Sequence, residues 1–234
     1  MPGESKPLEL RAILFDVDGT LIDSLQAIIL GIQDTFLEFG MSVPTEAEVR
    51  AKIGIPLKTQ LPMYRSEPIS PEIHEQMGQF AISRFHAYGI LERPFSPAVQ
   101  GLIMAKKRGL KTALVTSKSH AELAGFFDKF DFIDYVDAVV SASDVTHPKP
   151  AADSALLACE RLAVLPQHSL FVGDSIFDIQ CGKSAGTLTA AVGYGAGQRA
   201  DLLAHSPDLY FDTPDDLLEW ARSFQPDFSC PASH

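Results

Sequence analysis

Hydrophobic residues near the beginning of the chain form two different patterns. The run LRAILF, residues 10–15, is continuous and predicts a buried strand that ends at Asp16. Over residues 24–39 the apolar side chains recur every three or four positions, which predicts an amphipathic helix that stops at Gly40. The chain is therefore expected to open with a strand followed by a helix.

The next segment carries helix signals alone. Thr45 and Glu48 have the spacing of a capping box and predict the start of a short helix. Ser70-Pro71 predicts the start of a longer helix, whose apolar face continues to Tyr88. Between the first strand and about residue 95 the pattern therefore predicts helices and no strand.

Beyond residue 97 helices and strands alternate. The pattern predicts strands at 112–116, 137–142, 169–173, 187–192 and 209–212, with helices at 98–108, 120–130, 153–163, 176–185 and from Pro214. Strands that are nearly continuous in apolar residues and separated by helices indicate a parallel sheet covered on both faces. The predicted fold class is therefore α/β: a Rossmann-like, doubly wound parallel sheet core with an inserted all-helical cap domain.

The domain boundaries follow from this pattern. The α/β core domain is predicted at residues 8–21 and 96–222, and the helical cap domain at residues 22–95. The polar ends, residues 1–7 and 223–234, are predicted to be tails. A chain of 234 residues is long enough for one large domain with such an insertion.

Charge and composition narrow the classes of partner. The net charge of −11 argues against nucleic acid, whose phosphates require a basic surface, although a metal ion can still create a local site for a small anion. The three cysteines are far apart, which argues against a disulfide framework or a structural zinc site. No segment resembles a signal peptide or a membrane span, so we expect a cytoplasmic protein without a membrane partner.

Polar side chains follow the predicted strands at the edge where a doubly wound sheet binds its ligands. These residues are Asp16, Asp18, Thr116, Ser117, Lys149, Asp174 and Asp178. Each has an ordinary structural explanation when taken alone: Asp18-Gly19 is a common turn dipeptide, and Asp174 can cap the helix that follows. Together, however, these carboxylates, hydroxyls and an ammonium group suit a metal ion and a phosphate.

The chemistry that this set can perform is phosphoryl transfer. Mg²⁺ prefers oxygen ligands and commonly uses one or two carboxylates, for which Asp16 and Asp174 are the natural pair. Lys149 adds a second positive charge beside the transferring group. Asp16 can then attack as a nucleophile and form an aspartyl-phosphate.

Asp18 lies two residues beyond the predicted nucleophile. It can protonate the leaving oxygen and later accept a proton from the attacking water. Thr116 and main-chain N–H groups near Gly19 and Ser117 can donate hydrogen bonds to the phosphate oxygens. The predicted catalytic set is therefore Asp16, Asp18, Thr116 and Lys149.

Four motifs in this order resemble those of the haloacid dehalogenase superfamily. They are DVDGTLIDS, VTSK, HPKP and GDSIFDIQCGKSAG, and the similarity extends from Leu10 to about Trp220. The resemblance implies Mg²⁺ bound by the Asp16 carboxylate, the Asp18 main-chain carbonyl and Asp174. It also implies that Asp178 does not bind the metal directly but supports the residues that do.

Within the superfamily the chain looks most similar to the phosphoglycolate phosphatase-like branch, which carries a helical cap in this position. The resemblance implies a phosphatase acting on a small phosphorylated metabolite, with phosphoglycolate as the leading candidate. A β-phosphoglucomutase-like phosphomutase, a pyrophosphatase or nucleotidase, and a non-catalytic phospholigand sensor remain alternatives. Because the branch includes both monomers and dimers, either state is open.

Two other motif readings fail on residue identity. An EF-hand also begins D-x-D, but its required glycine and glutamate positions hold Leu21 and Ala27 here. Gly193 and Gly195 match the start of a dinucleotide loop, but Gln198 stands at the third glycine position. Neither a calcium loop nor a dinucleotide site is therefore predicted.

Substrate choice is expected to depend on the cap. By resemblance, the loop at residues 52–56 points toward the active site. Lys52, Lys58 and Arg65 are candidate contacts for an anionic leaving group, although each is equally typical of an ordinary surface charge.

Overall fold

The structure is a computed structural model that describes residues 9–224. Within this range the strands are β1 (Ala12–Phe15), β2 (Ile22–Asp23), β3 (Arg93–Pro94), β4 (Lys111–Val115), β5 (Ala138–Val140), β6 (Ser169–Gly173), β7 (Leu188–Val192) and β8 (Leu209–Phe211). Six of them form one parallel sheet in the order β5-β4-β1-β6-β7-β8. The predicted α/β class, with its doubly wound sheet and helical insertion, is confirmed.

Helices cover both faces of this sheet. The α-helices are α1 (Leu25–Glu38), α2 (Glu46–Arg50), α3 (Leu57–Gln60), α4 (Pro71–Tyr88), α5 (Ser96–Lys107), α6 (His120–Leu123), α7 (Asp153–Leu162), α8 (Ile176–Ala185), α9 (Arg199–Ala204) and α10 (Pro214–Ser223). Short 3₁₀ turns lie at Leu61–Tyr64, Gly89–Leu91, Phe127–Lys129, Asp131–Tyr135, Ala142–Asp144 and Pro166–His168. α5 and α10 pack on one face of the sheet, and α7 and α8 pack on the other. Because both faces are covered, the strands can be almost wholly apolar.

In the sequence, the helices α1 to α4 lie between β1 and β4. In the structure they pack around a hydrophobic core of their own. Ile32, Phe36, Leu61 and Met77 are fully buried at its centre. The prediction of helices alone in this segment is wrong in one respect, because β2 and β3 pair antiparallel at its two ends. This pair brings the two points where the chain leaves and re-enters the core side by side. The boundaries at 22 and 95 agree with its position but stay a prediction.

The structure corrects the predicted helix at residues 120–130. α6 ends at Leu123, Ala124 leaves the helical conformation with ψ of 114°, and Gly125 follows in a left-handed conformation with φ of +68°. Phe126 and Phe130 are then buried in the main core instead of lying along one helical face. Tertiary burial of the aromatic side chains thus overrides the local helical spacing.

Two further differences concern the ends of the chain and one short helix. α9 was not predicted, because its six residues are too short to give a clear period. The predicted tails lie outside the described residues except for 223 and 224, and Ser223 closes α10 instead of belonging to a tail. None of the helices within residues 9–224 has the length and apolar character needed to cross a membrane.

Candidate active site

The carboxyl edge of the sheet brings five of the predicted residues together. Asp16, Thr116 and Asp174 directly follow β1, β4 and β6, Lys149 lies in the loop after β5, and Asp178 lies in the first turn of α8. Because β1 is between β4 and β6 in the sheet, Asp16 lies at the centre of this group. All five side chains are buried, with at most 5% of each residue exposed.

Lys149 connects two of the carboxylates. Its Nζ donates hydrogen bonds to Asp16 Oδ1 at 2.6 Å and to Asp178 Oδ1 at 2.7 Å. A third bond reaches the main-chain carbonyl of Val115 at 3.2 Å. The ammonium group therefore has a full set of acceptors, which a buried charge requires.

Asp178 is held on both of its carboxylate oxygens. While Oδ1 accepts from Lys149, Oδ2 accepts from the main-chain N–H of Ser175 at 3.0 Å and from the Ser175 hydroxyl at 2.6 Å. The bond from the Ser175 N–H, together with the bond from the Asp178 N–H to the Ser175 hydroxyl at 3.3 Å, forms the capping box at the start of α8. A carboxylate with both oxygens occupied in this way is suited to supporting neighbouring ligands.

Asp174 is enclosed by backbone. The main-chain N–H of Ala196 donates to its Oδ2 at 2.6 Å. A Cβ added to Gly195 would lie 2.3 Å from that same oxygen, and one added to Gly19 would lie 2.2 Å from it. Glycine is therefore required at both positions for the backbone to approach this carboxylate. The glycine-rich loop after β7 thus serves Asp174, a role that the sequence pattern did not indicate.

The three aspartates form a group with the chemistry of a cation site. Carboxylate oxygens of Asp16, Asp174 and Asp178 lie within 4.8 Å of one another. Burial is the main cause that raises the pKa of Asp16 to about 7; Asp178 and Asp18 add to it, while Lys149 lowers the pKa. Burial and the neighbouring carboxylates also raise the pKa of Asp174. The site therefore holds more negative charge than its lysine offsets, and a hard divalent cation fits this donor set.

The same carboxylates act on the lysine in the opposite direction. Burial alone would lower the pKa of Lys149, but Asp16 and Asp178 raise it above its ordinary value. The two carboxylates therefore favour the ammonium form of this side chain. It supplies a fixed positive charge at the edge of the sheet.

Asp18 lies beside this group but faces the cleft between the sheet and the helical insertion. Lys118 Nζ donates to both of its carboxylate oxygens at 2.7 Å, and the Ser24 hydroxyl donates to Oδ1 at 2.5 Å. Sequence reasoning missed Lys118 and Ser24 as site residues. No local pattern pairs Asp18 with a lysine 100 positions away, although Lys118 belongs to the VTSK motif.

The other predicted phosphate contacts are partly engaged within the protein. The Thr116 hydroxyl accepts a hydrogen bond from the Lys118 main-chain N–H at 3.1 Å, which leaves its own proton to donate. The Gly19 N–H donates to the carbonyl of Ile22 at 2.7 Å, so it is already used in the turn. The Ser117 hydroxyl donates to the carbonyl of Gly54 at 2.5 Å and thereby joins the core to the helical insertion.

A buried carboxylate triad at the strand ends of a parallel sheet, with a helical insertion over it, defines the class of an α/β enzyme with a site suited to a metal ion. Residues 13–192 match the haloacid dehalogenase-like hydrolase family, and the chain belongs to it. It is a phosphatase of this family, and its relatives place it in the phosphoglycolate phosphatase-like branch.

Two relatives and one solved structure illustrate this similarity. The N-acetylmuramic acid 6-phosphate phosphatase of Pseudomonas aeruginosa is 31% identical over 217 residues, which cover 92% of this chain and 96% of the relative. The phosphoglycolate phosphatase of Escherichia coli strain K12 is 30% identical over 235 residues, which cover 90% and 92%. A haloacid dehalogenase-like hydrolase from Streptococcus pneumoniae is 25% identical with a TM-score of 0.76, covering 91% of this chain and 98% of that one.

Proposed function

We propose that the protein hydrolyses the phosphate monoester of a small alcohol in a Mg²⁺-dependent reaction through an aspartyl-phosphate on Asp16. The observation that carries this proposal is the meeting of Asp16, Asp174 and Lys149 at one buried edge, with Asp18 facing the adjoining cleft. One carboxylate is thereby available to the phosphorus atom and a second to the leaving group, as two-step phosphoryl transfer requires.

In the first step an Asp16 carboxylate oxygen forms a bond to phosphorus as the bond from phosphorus to the alcohol oxygen breaks. Asp18, ionised in its pair with Lys118, takes up a proton from solvent on one oxygen while the other keeps its bond to Lys118. It passes this proton to the departing oxygen, so the alcohol leaves neutral. Lys149 stands beside Asp16 and stabilises negative charge on the transferring group. The Thr116 hydroxyl is placed to donate a hydrogen bond to a phosphate oxygen.

In the second step water replaces Asp16 at phosphorus. Asp18 accepts a proton from the water as its oxygen bonds to phosphorus, and the bond to the Asp16 carboxylate breaks. Asp18 releases this proton to solvent as inorganic phosphate leaves, and both aspartates return to their starting forms. Lys118 and Ser24 orient the Asp18 carboxylate for both proton transfers.

The side chains of Asp16 and Asp174 and the Asp18 main-chain carbonyl would hold Mg²⁺, with Asp178 supporting them. When bound, the metal supplies positive charge that offsets repulsion between the attacking carboxylate and the phosphate dianion. The raised pKa values of Asp16 and Asp174 support this assignment, because they report buried negative charge that the protein itself leaves uncompensated.

A panel of phosphate monoesters assayed for released phosphate with Mg²⁺ tests the proposal. Acid-quenched protein should carry a phosphoryl group on the peptide that contains Asp16, and Asp16→Asn should abolish turnover while the protein stays folded. Hydrolysis that persists in Asp16→Asn, or that is unaffected by EDTA, would refute the mechanism. Interconversion of sugar phosphates without phosphate release would instead favour a phosphomutase.

The relatives extend the candidate substrates beyond phosphoglycolate, since one of them is an N-acetylmuramic acid 6-phosphate phosphatase. The leaving alcohol must therefore be inferred from this chain's own cleft. The cytoplasmic location and the monomeric or dimeric state rest on the sequence and stay predictions.

A further inference from the structure

The cleft next to Asp18 has two chemically different walls. The space open to the centre of a water molecule is about 40 Å³, and the whole cleft with its opening to solvent encloses about 470 Å³. The helical insertion contributes a mostly apolar wall, formed by Ile28, Ile53, Gly54, Ile55, Leu57, Gln60 and Phe85. The core contributes the polar wall, formed by Asp16, Asp18, Ser117, Lys118 and Glu122.

Lys118 is the one cation among the described residues that line this cleft, and it already forms an ion pair with Asp18. Its Nζ is bound to both oxygens of Asp18 at 2.7 Å, and only 7% of the residue is exposed. Burial opposes its charge, but Asp18 and Glu122 raise the pKa of this lysine. A second anion on the leaving group would have to compete with Asp18 for it.

The three basic residues that the sequence suggested as contacts for an anionic leaving group have other partners. Lys52 donates to the main-chain carbonyl of Glu48 and lies 4.8 Å from the centre of the Tyr64 ring. Lys58 forms an exposed ion pair with Glu75 at 2.7 Å. Arg65 pairs with Glu67 on the surface. None of the three lines the cleft, and that expectation is not supported by the described residues.

The pocket that adjoins the cleft does not supply a free cation either. Its Lys129 is paired with Glu92, and its His86 lies 3.4 Å from the main-chain carbonyl of Glu122. Glu122 itself adds a carboxylate to the cleft, where burial raises its pKa. The surroundings of the leaving group therefore hold more acidic than basic side chains.

Gln60 provides the neutral polar group of the apolar wall. Only 3% of this residue is exposed, and its Nε2 has no hydrogen-bond partner among the described residues. An unpaired buried amide donor is costly unless a ligand or a water satisfies it. A hydroxyl or carbonyl oxygen on the substrate would do so once the side chain turns its amide toward the cleft, because Nε2 is closed to solvent in this structure.

We infer that the alcohol released by this enzyme is uncharged, with an apolar face against Leu57 and Phe85 and an oxygen that accepts from Gln60. This inference rests on the proposed phosphatase function and specifies its substrate class. Esters whose alcohol carries a carboxylate, phosphoglycolate among them, are expected to be the poorer substrates, because like charges placed together without a counterion repel.

A matched pair of esters tests this inference. In 2-hydroxyethyl phosphate a neutral hydroxymethyl group replaces the carboxylate of 2-phosphoglycolate at nearly the same size. With Mg²⁺, kcat/KM should be at least about tenfold higher for the neutral ester. Equal values, or a preference for phosphoglycolate, would overturn the inference.

Binding to the Asp16→Asn variant separates this inference from the proposed function. Calorimetric titration in Mg²⁺ should give a lower Kd for the neutral ester than for phosphoglycolate. If the wild type hydrolyses neither ester but the variant keeps this order, the proposed function fails and the inference about the cleft holds. A variant that binds neither ester, or that prefers phosphoglycolate, contradicts the inference.

Substitutions at Gln60 test its contact directly. Gln60→Leu should lower kcat/KM for 2-hydroxyethyl phosphate about three- to tenfold relative to methyl phosphate, which lacks the accepting oxygen. Gln60→Lys should move the preference toward phosphoglycolate, because it supplies the missing positive charge. The matched control is Lys58→Gln, which should leave the ratio between esters unchanged. Loss of phosphoglycolate activity in that control would show an anion contact and contradict the inference.

Discussion

Lys118 and Asp18, separated by 100 positions in the chain, form a two-pronged ion pair in which the ammonium group contacts both carboxylate oxygens at 2.7 Å. The side chain of Lys118 is 7% exposed and that of Asp18 is 14% exposed. The pair therefore fixes a proposed acid/base group and neutralises its charge in a place that water reaches poorly.

Replacing one partner of this pair should lower the free energy of unfolding more than replacing both. Lys118→Met should lower the free energy of unfolding by about 3 kcal/mol, because it leaves the Asp18 charge largely buried without a counterion. Adding Asp18→Asn to that variant should recover part of the loss. Urea unfolding of the two single variants and the double variant measures the coupling. The exposed pair of Lys58 and Glu75 is the control, since Lys58→Met should cost less than about 1 kcal/mol.

The stability of the metal-free protein should depend on pH through Asp16. Because the folded protein raises its pKa from 3.8 to about 7, the ionised carboxylate is disfavoured in the fold. The resulting destabilisation is absent below pH 3.8, grows as the pH rises to 7, and is complete above it. In EDTA at pH 8, Asp16→Asn should therefore raise Tm by about 4 °C or more, and this gain should fade toward pH 4. A lower Tm for the variant at pH 8 would contradict the electrostatic account.

Mg²⁺ should stabilise the folded protein through the aspartate triad. At a concentration one hundred times its Kd, a ligand that binds only the folded state adds about 2.7 kcal/mol. Thermal unfolding with Mg²⁺ and with EDTA measures this gain, which Asp174→Asn should abolish together with activity. The same exchange at the exposed Asp215 should keep both. A metal-dependent gain that survives in Asp174→Asn would place the metal elsewhere.

The backbone around Asp174 should not tolerate a single added carbon. A Cβ on Gly195 would lie 2.3 Å from Asp174 Oδ2 and 2.5 Å from the Gly19 carbonyl, so Gly195→Ala should displace the carboxylate and lower kcat at least about tenfold. Gly78→Ala is the matched control. Gly78 lies inside α4 with nothing within 4 Å of an added Cβ, so alanine there should raise stability by about 0.5–1 kcal/mol without changing kcat. Equal activity in the two variants would show that the Gly195 contact has no catalytic importance.

The polar residues at the carboxyl edge of the sheet could be predicted from the sequence because each one depends only on a short local pattern. Each of these strands is a short, mostly apolar run with a polar residue at or just beyond its predicted end, as at Asp16, Thr116 and Asp174. A parallel sheet then brings those positions together whatever the details of packing. In the structure the carboxylate oxygens of Asp16 and Asp174 lie within 4.8 Å of one another, and Lys149 is buried between Asp16 and Asp178.

The substrate side of the site could not be predicted in the same way. Helical periodicity shows which face of α1 or α4 is apolar, but not which part of that face meets the core. Lys58 and Gln60 are two positions apart on α3, yet one forms a surface ion pair and the other lines the cleft. The pairing of Lys118 with Asp18 likewise depends on contacts between distant segments.

The antiparallel pair of β2 and β3 has a consequence for how such a protein can change over time. The chain leaves the sheet and returns to it at neighbouring points, so the helices beyond Ser24 can be lengthened, shortened or exchanged while the strand ends keep their register. Inherited variation in the inserted helices can thus alter which molecules are accepted without disturbing the chemistry. A grafted insertion from a relative, joined at these two short strands, is the natural unit for redirecting the enzyme to a new substrate.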